Sequence, residues 1–95
     1  MPDAHEVYVL LDQAADLAAH DESLEGLLLD LTAGMLLAAD GAAGEPESSI
    51  VVPATVRECV AQAAERTKGW DPAELSTTGH LLVMLVSDLV HDLGV

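Results

Sequence analysis

Apolar and polar residues alternate at helical spacing along most of the chain, and this pattern predicts four helices. The predicted helices span residues 4–20, 22–39, 54–68 and 72–93, and turn-forming residues mark a loop at 40–53. A chain of 95 residues is expected to form one domain. We therefore expect an all-α fold, a small four-helix bundle in a single domain covering residues 1–95.

The most continuous apolar run lies near the end of the chain, at 79–93. At about 100° per residue, Leu81 and Met84 fall outside its main apolar stripe and inside a mostly polar sector. A helix that is apolar on two sides is covered twice, either within its own domain or by another chain. The residues at 76–79, Ser-Thr-Thr-Gly, weaken the helix, so we expect a short helix at 72–76 and a break before the long run.

The second predicted helix, 22–39, is also apolar on more than one side, because Leu29 and Leu36 form a ridge away from its main stripe. Gly26 and Gly34 each cost about 1 kcal/mol relative to Ala inside a helix, which indicates close approach of another backbone. We expect the second and last helices to be the inner pair of the bundle. The apolar residues outside the main stripes of these two helices predict dimerisation. They are Leu29, Leu36, Leu81 and Met84.

Local signals place the helix ends. Asp3, Asp21 and Asp71 are predicted N-caps. The third helix is expected to begin at Pro53 or Ala54 and to pack on the outside, since its apolar stripe is narrow. The segment 50–52 is short and β-branched, and it is either a tether that plugs the end of the bundle or a strand that pairs with a partner.

Charge is the outstanding feature of the composition. Seventeen acidic residues and three basic residues give a net charge of −14, and all three basic residues lie within 54–68. Such a chain repels nucleic acid and anionic membrane and suits a basic protein partner or a salt-rich cytoplasm. The chain shows no signal-peptide pattern and no apolar run of bilayer length, so we expect a cytoplasmic protein. Its single cysteine, Cys59, is expected to be buried.

Candidate chemistry is sparse. Asp12, Asp16 and His20 follow one another at i, i+4 and i+8, which makes them weak candidates for a metal site, although a solvated helix face is the more typical interpretation. We predict no catalytic set, no metal and no cofactor. Asp88 and Asp92 are like charges near a helix C-terminus, where both their mutual repulsion and the helix dipole are unfavourable. A basic partner or a protonated His91 would relieve this conflict, so Asp88 and Asp92 are candidate interaction residues.

Three functional hypotheses follow. The first is an accessory or regulatory protein–protein interaction module that associates with itself or with a basic protein. The second is an acidic mimic of nucleic acid that inhibits a DNA- or RNA-binding protein. The third is a small metal-binding or enzymatic bundle. The first hypothesis is preferred because two helices are apolar on more than one side and no catalytic constellation is visible.

Overall fold

The computed structural model describes residues 3–47 and 50–95, and within these ranges it is all-helical with four α-helices packed against each other. The helices are α1 (Ala4–Ala19), α2 (Leu28–Gly41), α3 (Val56–Lys68) and α4 (Thr77–Leu93). Two short 3-10 helices, Glu22–Leu27 and Pro72–Glu74, precede α2 and α4. The predicted all-α four-helix bundle is confirmed.

The four helices form a ring in which neighbours run antiparallel. α1 packs against α2 and α3, and α4 packs against the same two helices. The side chain of Arg66, near the end of α3, bonds Glu6 at the start of α1. Arg57, at the start of α3, bonds the carbonyl oxygen of Leu93 at the end of α4. Because α2 also returns antiparallel to α1 through a short connection, α2 and α4 run antiparallel as well.

The core lies inside this ring and is built from Leu, Val and Ala, as expected for a chain with no Phe. Each fully buried Leu side chain contributes about 2 kcal/mol through its removal from water. α1 supplies more buried residues than α2, so the prediction that α2 and α4 form an inner pair is wrong, although the two helices do pack on each other. The largest fully buried aliphatic side chains are Leu10, Leu11, Leu31, Leu82, Leu89, Val7, Val60 and Val86.

Gly34 lies where α2 meets both of its neighbours. A methyl group at this position would stand 3.1 Å from Leu11 Cδ1 of α1 and 3.2 Å from Leu85 Cδ2 of α4. The glycine thus makes room for two leucine side chains, not for the backbone that the sequence suggested. Gly26 is different: it lies in the 3-10 helix Glu22–Leu27, and nothing lies within 4 Å of the position where its side chain would begin.

The second helix therefore begins later than predicted. Residues 22–27 form a 3-10 helix, and the α-helix runs from Leu28 to Gly41 instead of from 22 to 39. Its predicted cap is nevertheless confirmed, since the carboxylate of Asp21 accepts a hydrogen bond from Ser23 N at 3.0 Å. The carboxylate of Asp71 likewise accepts from Ala73 N at 2.9 Å.

At the starts of α1 and α3 the predictions are correct only in part. α1 begins at Ala4 with Asp3 as its N-cap residue, as predicted, but Asp3 has a left-handed backbone (φ 62°) and its side chain does not make the predicted capping hydrogen bond. α3 begins at Val56, because the hydroxyl of Thr55 accepts a hydrogen bond from Glu58 N at 3.2 Å. Thr55 and Glu58 have the spacing of a capping box, a signal in the sequence that the prediction overlooked.

The connection between α2 and α3 fulfils its predicted role only in part. Ile50 packs against the core, but Val51 is 93% exposed and does not cover the end of the bundle. No strand forms in this segment, within the residues that the structure describes.

A break before α4 is present, as expected, but it lies at 75–76, after a short helix that ends at Glu74, and not at 76–79. Leu75 is extended (ψ 138°), and the Ser76 hydroxyl accepts from Gly79 N at 3.2 Å to start the helix at Thr77.

Candidate interaction surface

The four apolar residues that the sequence placed outside the main stripes are all exposed. Leu29 is 80% exposed and Leu36 62% on α2, while Leu81 is 49% and Met84 63% exposed on α4. We call these four residues the α2–α4 surface. Their exposure shows that the bundle does not cover them; their contact with another chain stays a prediction.

The position of these residues is selective. α1 and α3, both described along their whole length, expose no large apolar side chain. The remaining exposed large apolar residues of the described ranges are Val51 in the α2–α3 connection and Val95 at the end of the chain. Exposed apolar residues on helices are thus confined to two neighbouring helices of the ring.

The contact at Gly34 fixes how the two helices align. Leu85 of α4 touches the position of Gly34, so these two residues lie about level along the antiparallel pair. Leu36 comes two residues after Gly34 and is therefore about level with the turn of α4 that contains Leu81 and Met84. Three of the four exposed apolar residues belong to the same level of the bundle.

Leu29 lies on the other side of this contact. It precedes Gly34 by five residues, which is about 7.5 Å along the helix axis. On the antiparallel helix α4 this level corresponds to the turn between Asp88 and Asp92, and both of these aspartates are exposed. Leu29 and these two carboxylates are therefore at about the same level of the bundle.

Acidic and apolar residues share the outer faces of both helices. On α4, Asp88 and Asp92 follow Leu81 at i+7 and i+11, spacings that return to the same face within about 20°. On α2, Leu36 and Asp40 follow Leu29 at the same two spacings, and Asp40 is also exposed. Each helix thus carries an outer face on which leucine and aspartate are combined.

The predicted conflict at the end of α4 is partly relieved within the chain. The guanidinium of Arg57 donates hydrogen bonds to the carbonyl oxygen of Leu93, an orphan acceptor of the last turn, and to that of Gly94, which follows the helix. Its positive charge is favourable at a helix C-terminus. Within the described part of the chain, however, neither Asp88 nor Asp92 forms an ion pair.

All three Lys and Arg residues of the chain lie on α3, and the side chain of each makes a contact within the chain. Arg57 binds the end of α4, Arg66 Nε lies 3.2 Å from Glu6 Oε2, and Lys68 Nζ lies 2.9 Å from Glu65 Oε1. α2 and α4 contain no Lys or Arg. The aspartates beside the α2–α4 surface therefore have no Lys or Arg on their own helices, where the basic residues are His80 and His91 of α4.

The weak metal candidates do not form a site. Asp12, Asp16 and His20 are exposed, and His20 Nδ1 lies 2.8 Å from the backbone carbonyl oxygen of Asp16, a contact local to the end of α1. In residues 3–47 and 50–95, no three His, Cys, Asp or Glu side chains are grouped so that they could hold a metal ion.

The single thiol is enclosed, as expected. Cys59 is fully buried in α3, and its Sγ lies 3.6 Å from the carbonyl oxygen of Pro53. Burial raises the pKa of the Cys59 thiol to about 11, and the neighbouring charge of Glu58 adds to the shift. The thiol is therefore neutral near pH 7, so Cys59 acts as a small apolar residue of the core.

No protein-family model matches the chain, and neither curated proteins nor solved structures give a significant match. Among the described residues, no helix is both long enough and apolar enough to cross a membrane.

Proposed function

We propose that this protein is a small interaction module, an accessory or regulatory subunit that acts by binding another protein chain through its α2–α4 surface. The observation that carries the proposal is the confinement of exposed large apolar residues on helices to α2 and α4. Surfaces of this kind, apolar with a polar rim, are typical of sites where proteins associate.

Two features of the fold support this proposal. The domain is small, so its own core gives limited stability and association would add to it. The apolar side chains also lie on regular helices and not on mobile loops, so they are presented in a fixed arrangement. A fixed arrangement lowers the entropy lost when a partner binds.

The two other hypotheses receive less support. Exposed acids occur on all four helices, and this distribution follows from the composition without any need for nucleic-acid mimicry. The metal candidates Asp12, Asp16 and His20 form only a local contact. That the chain is not an enzyme stays a prediction from its sequence.

The experiment compares three proteins by sedimentation and by affinity capture from the native host. The first is the wild type, and the second replaces Leu29, Leu36, Leu81 and Met84 with Gln. The third is a matched control in which the two exposed valines outside the helices, Val51 and Val95, become Gln. All three are expected to fold alike, because the replaced side chains are not in the core.

The proposal expects either self-association or a captured protein that is retained by the wild type and the valine control and lost with the four-residue variant. A captured protein must then bind the purified wild type in a two-component mixture. If all three proteins are monomeric and retain the same set of proteins, the α2–α4 surface has no binding role and the proposal fails.

A further inference from the structure

We infer that the occupant of the α2–α4 surface is an amphipathic helix of a different protein, with an apolar stripe flanked by Lys or Arg, and not a second copy of this chain. The inference rests on the proposed function and adds the chemistry of the partner. Its basis is the charge that surrounds the exposed apolar residues.

A second copy fits this surface poorly. In a two-fold symmetric dimer the same patch faces itself, so the interface would hold Asp40, Asp88 and Asp92 from both copies. Each copy carries a net charge of −14 with His neutral, and α2 and α4 hold no Lys or Arg that could separate these carboxylates, only His80 and His91 of α4. Like charges brought together at an interface oppose association.

A head-to-tail contact between copies is no better. It would have to bring α3, the helix that holds every Lys and Arg, onto the α2–α4 surface of the next molecule. Arg57 and Arg66 are already bound within their own chain, to α4 and to Glu6. Glu58 and Glu65 on the same helix oppose the remaining charge. The Lys or Arg side chains that this surface lacks therefore come from another protein.

The spacing of the exposed apolar residues along the helix axes suits a helix as the partner element. Leu36 lies level with Leu81 and Met84, and Leu29 lies seven residues, or about 10 Å, nearer the start of α2. This distance matches two turns of a helix laid along the pair, with apolar residues at i, i+3, i+4 and i+7. Lys or Arg beside that stripe would meet Asp40, Asp88 and Asp92.

The test uses a synthetic helical peptide with Leu at i, i+3, i+4 and i+7 and Lys at the remaining positions, and a second peptide with Glu in place of Lys. Binding to the full chain is measured by calorimetry and located by heteronuclear NMR. We expect the Lys peptide to bind and to shift resonances of α2 and α4. We expect no binding of the Glu peptide, and weaker binding of the Lys peptide as salt rises from about 0.05 M to about 0.3 M.

A matched pair of charge variants separates a specific site from general attraction. Asp88→Asn with Asp92→Asn removes two carboxylates at i, i+4 beside the surface, and Asp12→Asn with Asp16→Asn removes two exposed carboxylates at the same spacing on α1. The first pair is expected to weaken binding about tenfold and the second less than about twofold. Equal weakening by both pairs would mean unspecific attraction to an acidic protein and would overturn the inference.

The remaining outcomes separate the inference from the proposed function. If the Gln variant of the four apolar residues abolishes binding but the Asp88 and Asp92 change has no effect, the interaction module stands and the basic partner does not. If the wild type dimerises at micromolar concentration and the Gln variant is monomeric, the occupant is a second copy and the inference is wrong. If the Gln variant binds the Lys peptide unchanged, both fail.

Discussion

The two sides of the helix ring are built differently, although all four helices contribute to one core. Where α1 meets α3, the contact includes an ion pair, with Arg66 Nε 3.2 Å from Glu6 Oε2, and the outer faces of both helices are polar. Where α2 meets α4, the contact is made by Gly34 and Leu85, and the outer faces carry exposed leucine and methionine beside aspartate.

The three Lys and Arg side chains account for this difference. All three lie on α3 and make contacts inside the chain, and one of them joins α3 to α1. The α2–α4 side has acids and exposed apolar residues but no Lys or Arg, and its basic residues are His80 and His91 of α4. An ion pair therefore joins the helices of the first side, whereas we propose that the second side binds a partner.

Two neighbouring leucines of α4 provide the strongest test. Leu82 is fully buried and Leu81 is 49% exposed. We expect Leu82→Ala to lower the free energy of unfolding by about 3 kcal/mol, because it removes buried surface and leaves a cavity. We expect Leu81→Ala to cost less than about 1 kcal/mol, since about half of the side chain is already in water. Urea unfolding followed by circular dichroism measures both, and similar losses would contradict the assignment of Leu81 to the outer surface.

Helical periodicity in the sequence distinguished the exposed apolar positions of α2 and α4 from their core positions. Leu29, Leu36, Leu81 and Met84 could be placed outside the core from their spacing alone, and the bundle leaves all four exposed. The helix class also followed from apolar spacing. The residues at 76–79 indicated a break before α4 but misplaced it, because residues 77–79 are part of α4 and the break lies at 75–76.

Other features depended on contacts between distant residues. That Arg57 binds the end of α4 could not be foreseen, because 36 residues separate it from Leu93. For the same reason the ring order of the helices was missed, and α1 was not recognised as the largest contributor to the core. The late start of α2 depends on residues 22–27 adopting a tighter helix, a choice that apolar spacing does not distinguish.

The buried thiol on the α1–α3 side predicts a loss of stability at high pH. Burial raises the pKa of Cys59 from 9.0 to about 11, so the folded state favours the neutral thiol. This contribution is fully present below about pH 9 and is lost as pH rises through about 11, by up to about 2 kcal/mol. Urea unfolding from pH 8 to pH 11 should show a steeper decline for the wild type than for Cys59→Ala. Parallel curves would mean that Cys59 does not titrate differently on folding.

The smallest expected change in the free energy of unfolding concerns two basic residues of α3, Arg57 and Lys68. Arg57→Ala removes the donors to the carbonyl oxygens of Leu93 and Gly94, and we expect it to lower the free energy of unfolding by about 1 kcal/mol, because these acceptors lie at the end of a helix. Lys68→Ala is the matched control, since its exposed ion pair with Glu65 is expected to contribute less than about 0.5 kcal/mol. The loss in free energy of unfolding for Arg57→Lys should fall between those of Arg57→Ala and Lys68→Ala. An ammonium group keeps the positive charge but, unlike the planar guanidinium, cannot donate to both carbonyl oxygens at once.

Amide hydrogen exchange in the last turn of α4 should accelerate in Arg57→Ala and not in Lys68→Ala. If both variants leave that exchange unchanged, Arg57 does not hold the end of α4.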